Sequence, residues 1–261
     1  MAAIDRLLAI MARLRDPEHG CPWDRQQTLA SIVPHTLEEA YELAEAIETH
    51  DTEAIRQELG DLLFQVVFYA QIGREQGLFD FDDVATAIAD KMLRRHPHVF
   101  GEARVADAEQ QSAQWEAIKA AERGNDNGDD SALAGVSTAL PALSRARKLQ
   151  QRAARSGFDW PDHGGVLAKL EEELDEVREA LEAGEAGAIA EELGDLLFVC
   201  VNLVRHARLD PEAVLRHANR KFERRFRTME RLARVQHGCT LEQLDLAQQE
   251  ALWQQSKGEE K

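Results

Sequence analysis

The sequence predicts an all-α protein built as two tandem homologous helical bundles, and three observations carry that expectation. Residue usage is helical, with abundant Ala, Leu, Glu, Arg and Gln against 7 Pro and 2 Tyr. Apolar side chains recur every three or four residues, as at Leu37, Tyr41, Ala44 and Ile47, or at Leu170, Leu174, Val177 and Leu181. No stretch alternates with period two for long enough to argue a strand. The chain also repeats itself. A shift of 134 residues lays 37–71 over 171–205 without a gap, with 16 of 35 positions identical, the whole of ELGDLLF among them.

Taken in chain order, the first 16 residues read as an amphipathic helix: Asp5 and Arg6 interrupt the apolar run, and no small-residue cleavage site follows it. CPWD at 21–24 is answered by GFDW at 157–160. Two helical segments then flank 49–53 in the first half and 183–187 in the second, short enough for an antiparallel hairpin. Lys91 to Arg95 is answered by Lys221 to Arg225, and Trp115 to Lys119 by Trp253 to Lys257. The domains expected are 1–122 and 139–261, joined by a linker at 123–138 that is rich in Gly, Asn, Asp and Ser.

Charge narrows the partners. The 31 Lys plus Arg against 48 Asp plus Glu give a formal net charge of −17, which repels nucleic acid and anionic membranes. The basic run at 145–155 lacks stacking aromatics, so nucleic acid is not expected as a partner. The longest apolar runs, 62–70 and 196–204, are too short to span a bilayer, so no membrane association is expected. Cys21, Cys200 and Cys239 lie far apart and form no CxxC pair, which suits a reducing, cytoplasmic setting. No phosphate-cradling glycine loop is present, and the absence of ExxH counts against a di-iron bundle.

The remaining acids fall into a pattern. Glu38, Glu39 and Glu42 precede the first hairpin turn, and Glu58 and Asp61 follow it; Glu172, Glu173, Glu176, Glu192 and Asp195 repeat the arrangement. Residues three apart share a helix face, so Glu39/Glu42 and Glu58/Asp61 form two opposed pairs, as do Glu173/Glu176 and Glu192/Asp195. Like charges about 6 Å apart repel by roughly 2–3 kcal/mol per pair at an effective dielectric near 20. A divalent cation relieves that repulsion, and an all-oxygen ligand set selects Mg²⁺, with Mn²⁺ as a substitute. A solvated acidic face is the bland alternative. The position of Asp61 and Asp195 against LLFQVVF and LLFVCV, and the recurrence at identical spacing, weigh against it.

EExxE followed by ExxD resembles the all-α NTP pyrophosphohydrolase superfamily. CPWD, ELGDLLFQVVFYAQ, RRHPHVF and the duplication resemble its two-domain bacterial MazG family over nearly the whole chain. The resemblance implies a homodimeric enzyme that uses Mg²⁺ to split nucleoside triphosphates into monophosphate and pyrophosphate, with a broad base range and a housecleaning or stress role. It carries the metal ligands to Glu173, Glu176, Glu192 and Asp195, and the same motif to Glu39, Glu42, Glu58 and Asp61. It leaves Glu172 and Glu38 to orient or deprotonate the attacking water. Lys221 and Arg225 lie one turn apart, the spacing that offers both to one ligand. The resemblance supports Lys221 through Arg225, Arg224 included, together with Lys169, as triphosphate contacts. Lys91 and Arg95 duplicate the basic pair.

Trp253 is read either as a base-stacking residue or as a C-terminal core anchor, Lys257 as a weaker phosphate contact, and Asn202 either as a satisfied core amide, the preferred reading, or as a ribose or base contact. The His96-Pro-His98 element reads as structural, because proline stops the preceding helix. Turnover is expected mainly in the second half, where Lys169 replaces His35 and the interval from the acids to the basic pair is four residues shorter. The competing readings are a narrower pyrophosphohydrolase, of dUTP or phosphoribosyl-ATP type, and a non-catalytic helical interaction module with structural Mg²⁺.

Overall fold

A computed structural model of the chain describes residues 2–101, 107, 115 and 131–258. Those residues form helices and turns with no strand, so the all-α expectation holds. The chain divides into two compact units, Met1–Ala120 and Ala121–Lys261. Residues 116–130, which include the end of the expected first domain and the start of the linker, lie outside the described residues.

The first unit runs α1 (Ala3–Leu14), α2 (Pro22–Gln26), α3 (Leu29–Thr49), α4 (Thr52–Glu75), α5 (Phe81–Arg95) and α6 (Pro97–Phe100). Its frame is the α3–α4 hairpin. Thr28 opens α3 by accepting from Ser31 N at 3.2 Å, while Ser31 Oγ accepts from Thr28 N at 2.8 Å. His50 closes α3 in the left-handed region, φ 58°, and Asp51 Oδ1 at once caps α4 by accepting from Glu53 N and Ala54 N. Two residues thus reverse the chain.

Met11, Ile32, Val67, Phe68 and Ile72 make the core, brought from α1, α3 and α4. Arg15 ties the end of α1 to α4 through Glu75, with Nη2 to Oε2 at 2.6 Å, and its guanidinium lies 5.4 Å from the Phe68 ring centroid. At the histidine element the helix ends before the proline, as expected. His96 Nδ1 contacts Met92 O at 2.8 Å, ends α5, and precedes Pro97 at the first position of α6.

The second unit runs α7 (Ala142–Arg155), α8 (His163–Ala183), α9 (Ala186–His206), α10 (Pro211–Leu232) and α11 (Leu246–Gly258). α10 continues into a π-helical turn, Ala233–His237, and a 3₁₀ turn, Leu241–Gln243, precedes α11. The α8–α9 hairpin repeats the first, with Gly184 at φ 74° where His50 stands in the first unit. Asp162 caps α8 by accepting from Gly164 N at 2.8 Å. A Cβ at Gly165 would fall 2.3 Å from Trp160 Cδ1, so this helix start packs against the GFDW loop only because the residue is glycine.

The same loop is clasped to the far end of α9. Arg205 Nη1 donates to Asp159 Oδ2 at 2.9 Å, and His206 Nε2 lies 3.0 Å from Asp159 Oδ1. Asn202, 4% exposed, accepts from Arg205 Nε at 2.9 Å and Nη2 at 2.6 Å, which makes it the satisfied core amide expected. Met229, Leu232, Ala233, Leu244 and Leu252 form a separate apolar cluster between α10 and α11.

Phe68 is 1% exposed and meets ring edges from both Phe64 and Trp23. Phe68→Ala is expected to destabilise the first unit by about 3–5 kcal/mol in urea unfolding followed by circular dichroism. A loss below about 1 kcal/mol would mean that this residue does not join α1, α3 and α4.

Candidate metal and triphosphate site

Each hairpin brings acids from both of its helices together. In the second unit one oxygen from each of Glu173, Glu176 and Glu192 lies within 4.8 Å of the others; in the first unit Glu39, Glu58 and Asp61 do the same. Glu39/Glu58 and Glu173/Glu192 occupy equivalent positions in the two repeats, and the third member differs. The sequence reading put four acids at one point in each half. The structure converges three, leaving Asp195 outside the second triad and Glu42 outside the first. Both still act on their neighbours through space. The carboxyl of Glu192 is raised above the ordinary range first by burial and then by Glu176, Glu191, Asp195 and Glu173. Glu39 is raised by burial and then by Asp61, Glu42, Glu58 and Glu38, and Glu58 by burial, Glu42 and Asp61.

Glu173 is the most enclosed of these acids, 4% exposed. Its Oε1 lies 2.8 Å from Lys169 Nζ, while its buried Oε2 has no hydrogen-bond partner. A buried carboxylate oxygen without a donor is costly, and its unpartnered lone pairs beside other hard oxygens suit a divalent cation of the Mg²⁺ type. The donor set thus fits that ion. Glu172, outside the triad, lies 2.7 Å from Lys169 Nζ. Hydrogen bonds to Glu172 and Glu173, with the charges of both acids behind them, hold the Lys169 ammonium above its ordinary pKa range.

The sequence reading makes Lys169 a phosphate contact, and the structure turns it to the acids one turn along its own helix. Its i,i+3 and i,i+4 spacing to Glu172 and Glu173 is the signal from which that contact was readable. At the equivalent place in the first unit, His35 Nδ1 lies 3.7 Å from Glu38 and its ring meets Trp23 at 5.7 Å.

Lys221, Arg224 and Arg225 lie on α10, and of these Arg225 meets Trp253 of α11. The Arg225 guanidinium is 5.8 Å and Lys257 Nζ 5.7 Å from the Trp253 ring centroid. Phe222, one residue after Lys221, is tilted against Trp253 at 5.6 Å and stacked on Phe226 at 5.9 Å. The sequence reading passed over both phenylalanines, although aromatics four apart on a basic helix were visible. Trp253 also packs against the Met229–Leu252 cluster, so the core-anchor alternative describes one side of it. Among the described residues no ion pair or hydrogen bond joins Lys221, Arg224 or Arg225 to Glu173, Glu176, Glu192 or Asp195.

Comparison with known proteins gives a consistent picture. A family model described as the MazG nucleotide pyrophosphohydrolase domain matches twice, at residues 27–100 and 162–229. Each match spans one hairpin with its acids. The chain is 51% identical to a nucleoside triphosphate pyrophosphohydrolase of Escherichia coli (strain K12), covering 100% of this chain and 99% of that protein. It is 46% identical to the nucleoside triphosphate pyrophosphohydrolase/pyrophosphatase MazG of Thermotoga maritima, over 97% of this chain and 95% of that one. A nucleoside triphosphate pyrophosphohydrolase of Mycobacterium tuberculosis is 38% identical over 59% of this chain and 46% of its own length.

The raised acids make a pH-dependent penalty. A carboxylate whose pKa rises on folding favours the folded state below its ordinary value, here 4.5, and withdraws that contribution as pH climbs through the raised value. With divalent ions removed by EDTA, Glu192→Gln is therefore expected to melt higher than the parent at pH 7, with the gap closing toward pH 4.5. Differential scanning fluorimetry across that range checks this. A variant that melts at or below the parent at pH 7 would show that the acids do not repel as their geometry requires.

Proposed function

The chain belongs to the MazG nucleotide pyrophosphohydrolase family and is a nucleoside triphosphate pyrophosphohydrolase; on that footing we propose that it works through Mg²⁺ held by the second unit. The observation that supports this is the convergence of Glu173, Glu176 and Glu192 around a buried carboxylate oxygen with no partner. Glu173, Glu176 and Glu192 would hold the ion, with Asp195 adding negative charge beside Glu192. A bound Mg²⁺ would supply charge neutralisation at the phosphoryl oxygens.

The remaining steps fall to the protein's own groups. Glu172, exposed and beside the triad, orients the attacking water and accepts its proton. The α–β bridge opens, and pyrophosphate leaves with monophosphate as co-product. Lys169, Lys221, Arg224 and Arg225 bind the triphosphate oxygens. Trp253, with Arg225 and Lys257 over its ring, takes the base by stacking as those side chains turn to the triphosphate. Stacking reads no base edge, which supports a broad base range and a housecleaning role in the cytoplasm, discarding unwanted triphosphates.

Homodimerisation is part of the same reading. Val33, Leu37 and Tyr41 on α3, and Leu167, Leu174 and Leu181 on α8, are large exposed apolar side chains. They give a second copy of the chain an apolar surface to cover. Among the described residues, no helix is long and apolar enough to cross a membrane.

Incubation of ATP with enzyme and Mg²⁺ is expected to yield AMP and pyrophosphate, resolved by anion-exchange chromatography. EDTA should abolish the reaction, and Zn²⁺ should restore little of it. ADP and phosphate as products, or full turnover in excess chelator, would overturn the proposal. The two units should also differ. Glu176→Gln and Asp195→Asn are each expected to lower turnover at least about a hundredfold in a folded protein. Glu42→Gln and Asp61→Asn should lower it far less. The reverse order in a pyrophosphate-release assay would move catalysis to the first unit.

A further inference from the structure

Lys169 stands at the meeting point of the second unit's acids. Its Nζ lies 2.7 Å from Glu172 Oε1, 2.8 Å from Glu173 Oε1 and 4.0 Å from Glu176 Oε2. Two of those partners belong to the triad. The Glu173 side chain is 6% exposed and that of Lys169 31%, so the ion pair is shielded from solvent at the acid and open at the amine. Among the described residues the first unit places no ammonium at its acids. His35 pairs with Glu38, and among the described residues no ion pair engages Glu39, Glu58 or Asp61.

The geometry sets a conflict. The carboxylates that would ligate a divalent cation already face an ammonium, and a second cation among them meets direct repulsion. A lysine differs from a fixed ligand in that its charge rides on a flexible four-carbon stem. The Lys169 side chain, 31% exposed, can leave Glu172 and Glu173 by rotation, with no movement of α8. The nearest strong acceptor for it to turn toward is then an anion bound next to the metal.

We infer that Lys169 is an exchangeable counter-ion of the acid triad: it yields the carboxylates to a divalent cation and turns to the triphosphate that binds beside that cation. The inference rests on the metal reading of the proposed function and adds to it a coupling between the two ligands. Metal alone binds against the lysine, and triphosphate alone must draw the lysine from its acids. Together each removes the other's obstacle, so each raises the other's affinity by the same factor. A unit that binds free Mg²⁺ weakly is thereby biased toward the metal–triphosphate pair. The first unit, with histidine at this position, lacks the device.

Isothermal titration of the full chain tests the exchange. All proteins carry Glu58→Gln, which removes one ligand of the first unit's cluster, and the probes are Mn²⁺ alone and α,β-methylene-ATP with and without Mn²⁺. Lys169→Met keeps the length and removes the charge. It is expected to bind Mn²⁺ alone at least about tenfold more tightly than the parent. The gain in analogue affinity that Mn²⁺ confers should shrink by a comparable factor. Lys169→Arg, which keeps the charge, should retain weak Mn²⁺ binding.

Mn²⁺ affinity in Lys169→Met equal to or below the parent's would overturn the exchange and leave Lys169 as a residue that holds Glu173 in place. Glu192→Gln, run in parallel, separates that failure from a failure of the metal reading. It should abolish the Mn²⁺ signal, and an undiminished signal would overturn the metal reading and the exchange together.

Discussion

Repulsion among carboxylates held on the two arms of one helical hairpin is the constraint around which each unit is arranged. α8 contributes Glu173 and Glu176 and α9 contributes Glu192, with one oxygen of each inside 4.8 Å. Such a grouping opposes folding unless positive charge enters it. The rest of the hairpin holds the arms together regardless. Val177, Ala180, Val199 and Val201 are buried, Gly184 reverses the chain in a single left-handed residue, and the Asp159–Arg205–Asn202 network pins the far end of α9. Apolar burial and a buried polar clasp supply stability, and the acids draw on it.

The two units answer the constraint differently. Both keep the Glu39/Glu58 or Glu173/Glu192 pair across the two arms. The first adds Asp61 from the second arm, and the second adds Glu176 from the first arm. Among the described residues, only the second places an ammonium against its acids, within 2.8 Å of Glu173. Duplication thus preserved the frame and the paired acids while the charge that faces them diverged, from a histidine on Glu38 to a lysine on Glu172 and Glu173. The proposal that turnover resides mainly in the second unit follows from that divergence.

Much of this was legible in the sequence because its signals are local. Helical periodicity, the 49–53 and 183–187 breaks and the ELGDLLF repeat located both hairpins to within a residue or two of Thr49/Thr52 and Ala183/Ala186. Spacing of three put the acids on shared faces. Spacing alone did not tell which three would meet, because that depends on how one arm is rotated against the other. Core packing sets this rotation through residues such as Val177 and Val199, and it leaves Asp195 exposed at the rim. Two long-range features gave no local signal. The Asp159 clasp joins residues 46 and 47 apart, and the Trp253 platform joins α10 to α11 across the turns at 233–243.

The most direct test of the account is to locate the cation. Anomalous diffraction from crystals grown with Mn²⁺ and α,β-methylene-ATP reports its position independently of turnover. The account predicts a manganese peak within about 2.5 Å of oxygens from Glu173, Glu176 and Glu192, shared with phosphate oxygens of the analogue. Manganese bound away from these acids, with Lys169 still seated on Glu172 and Glu173, would contradict it.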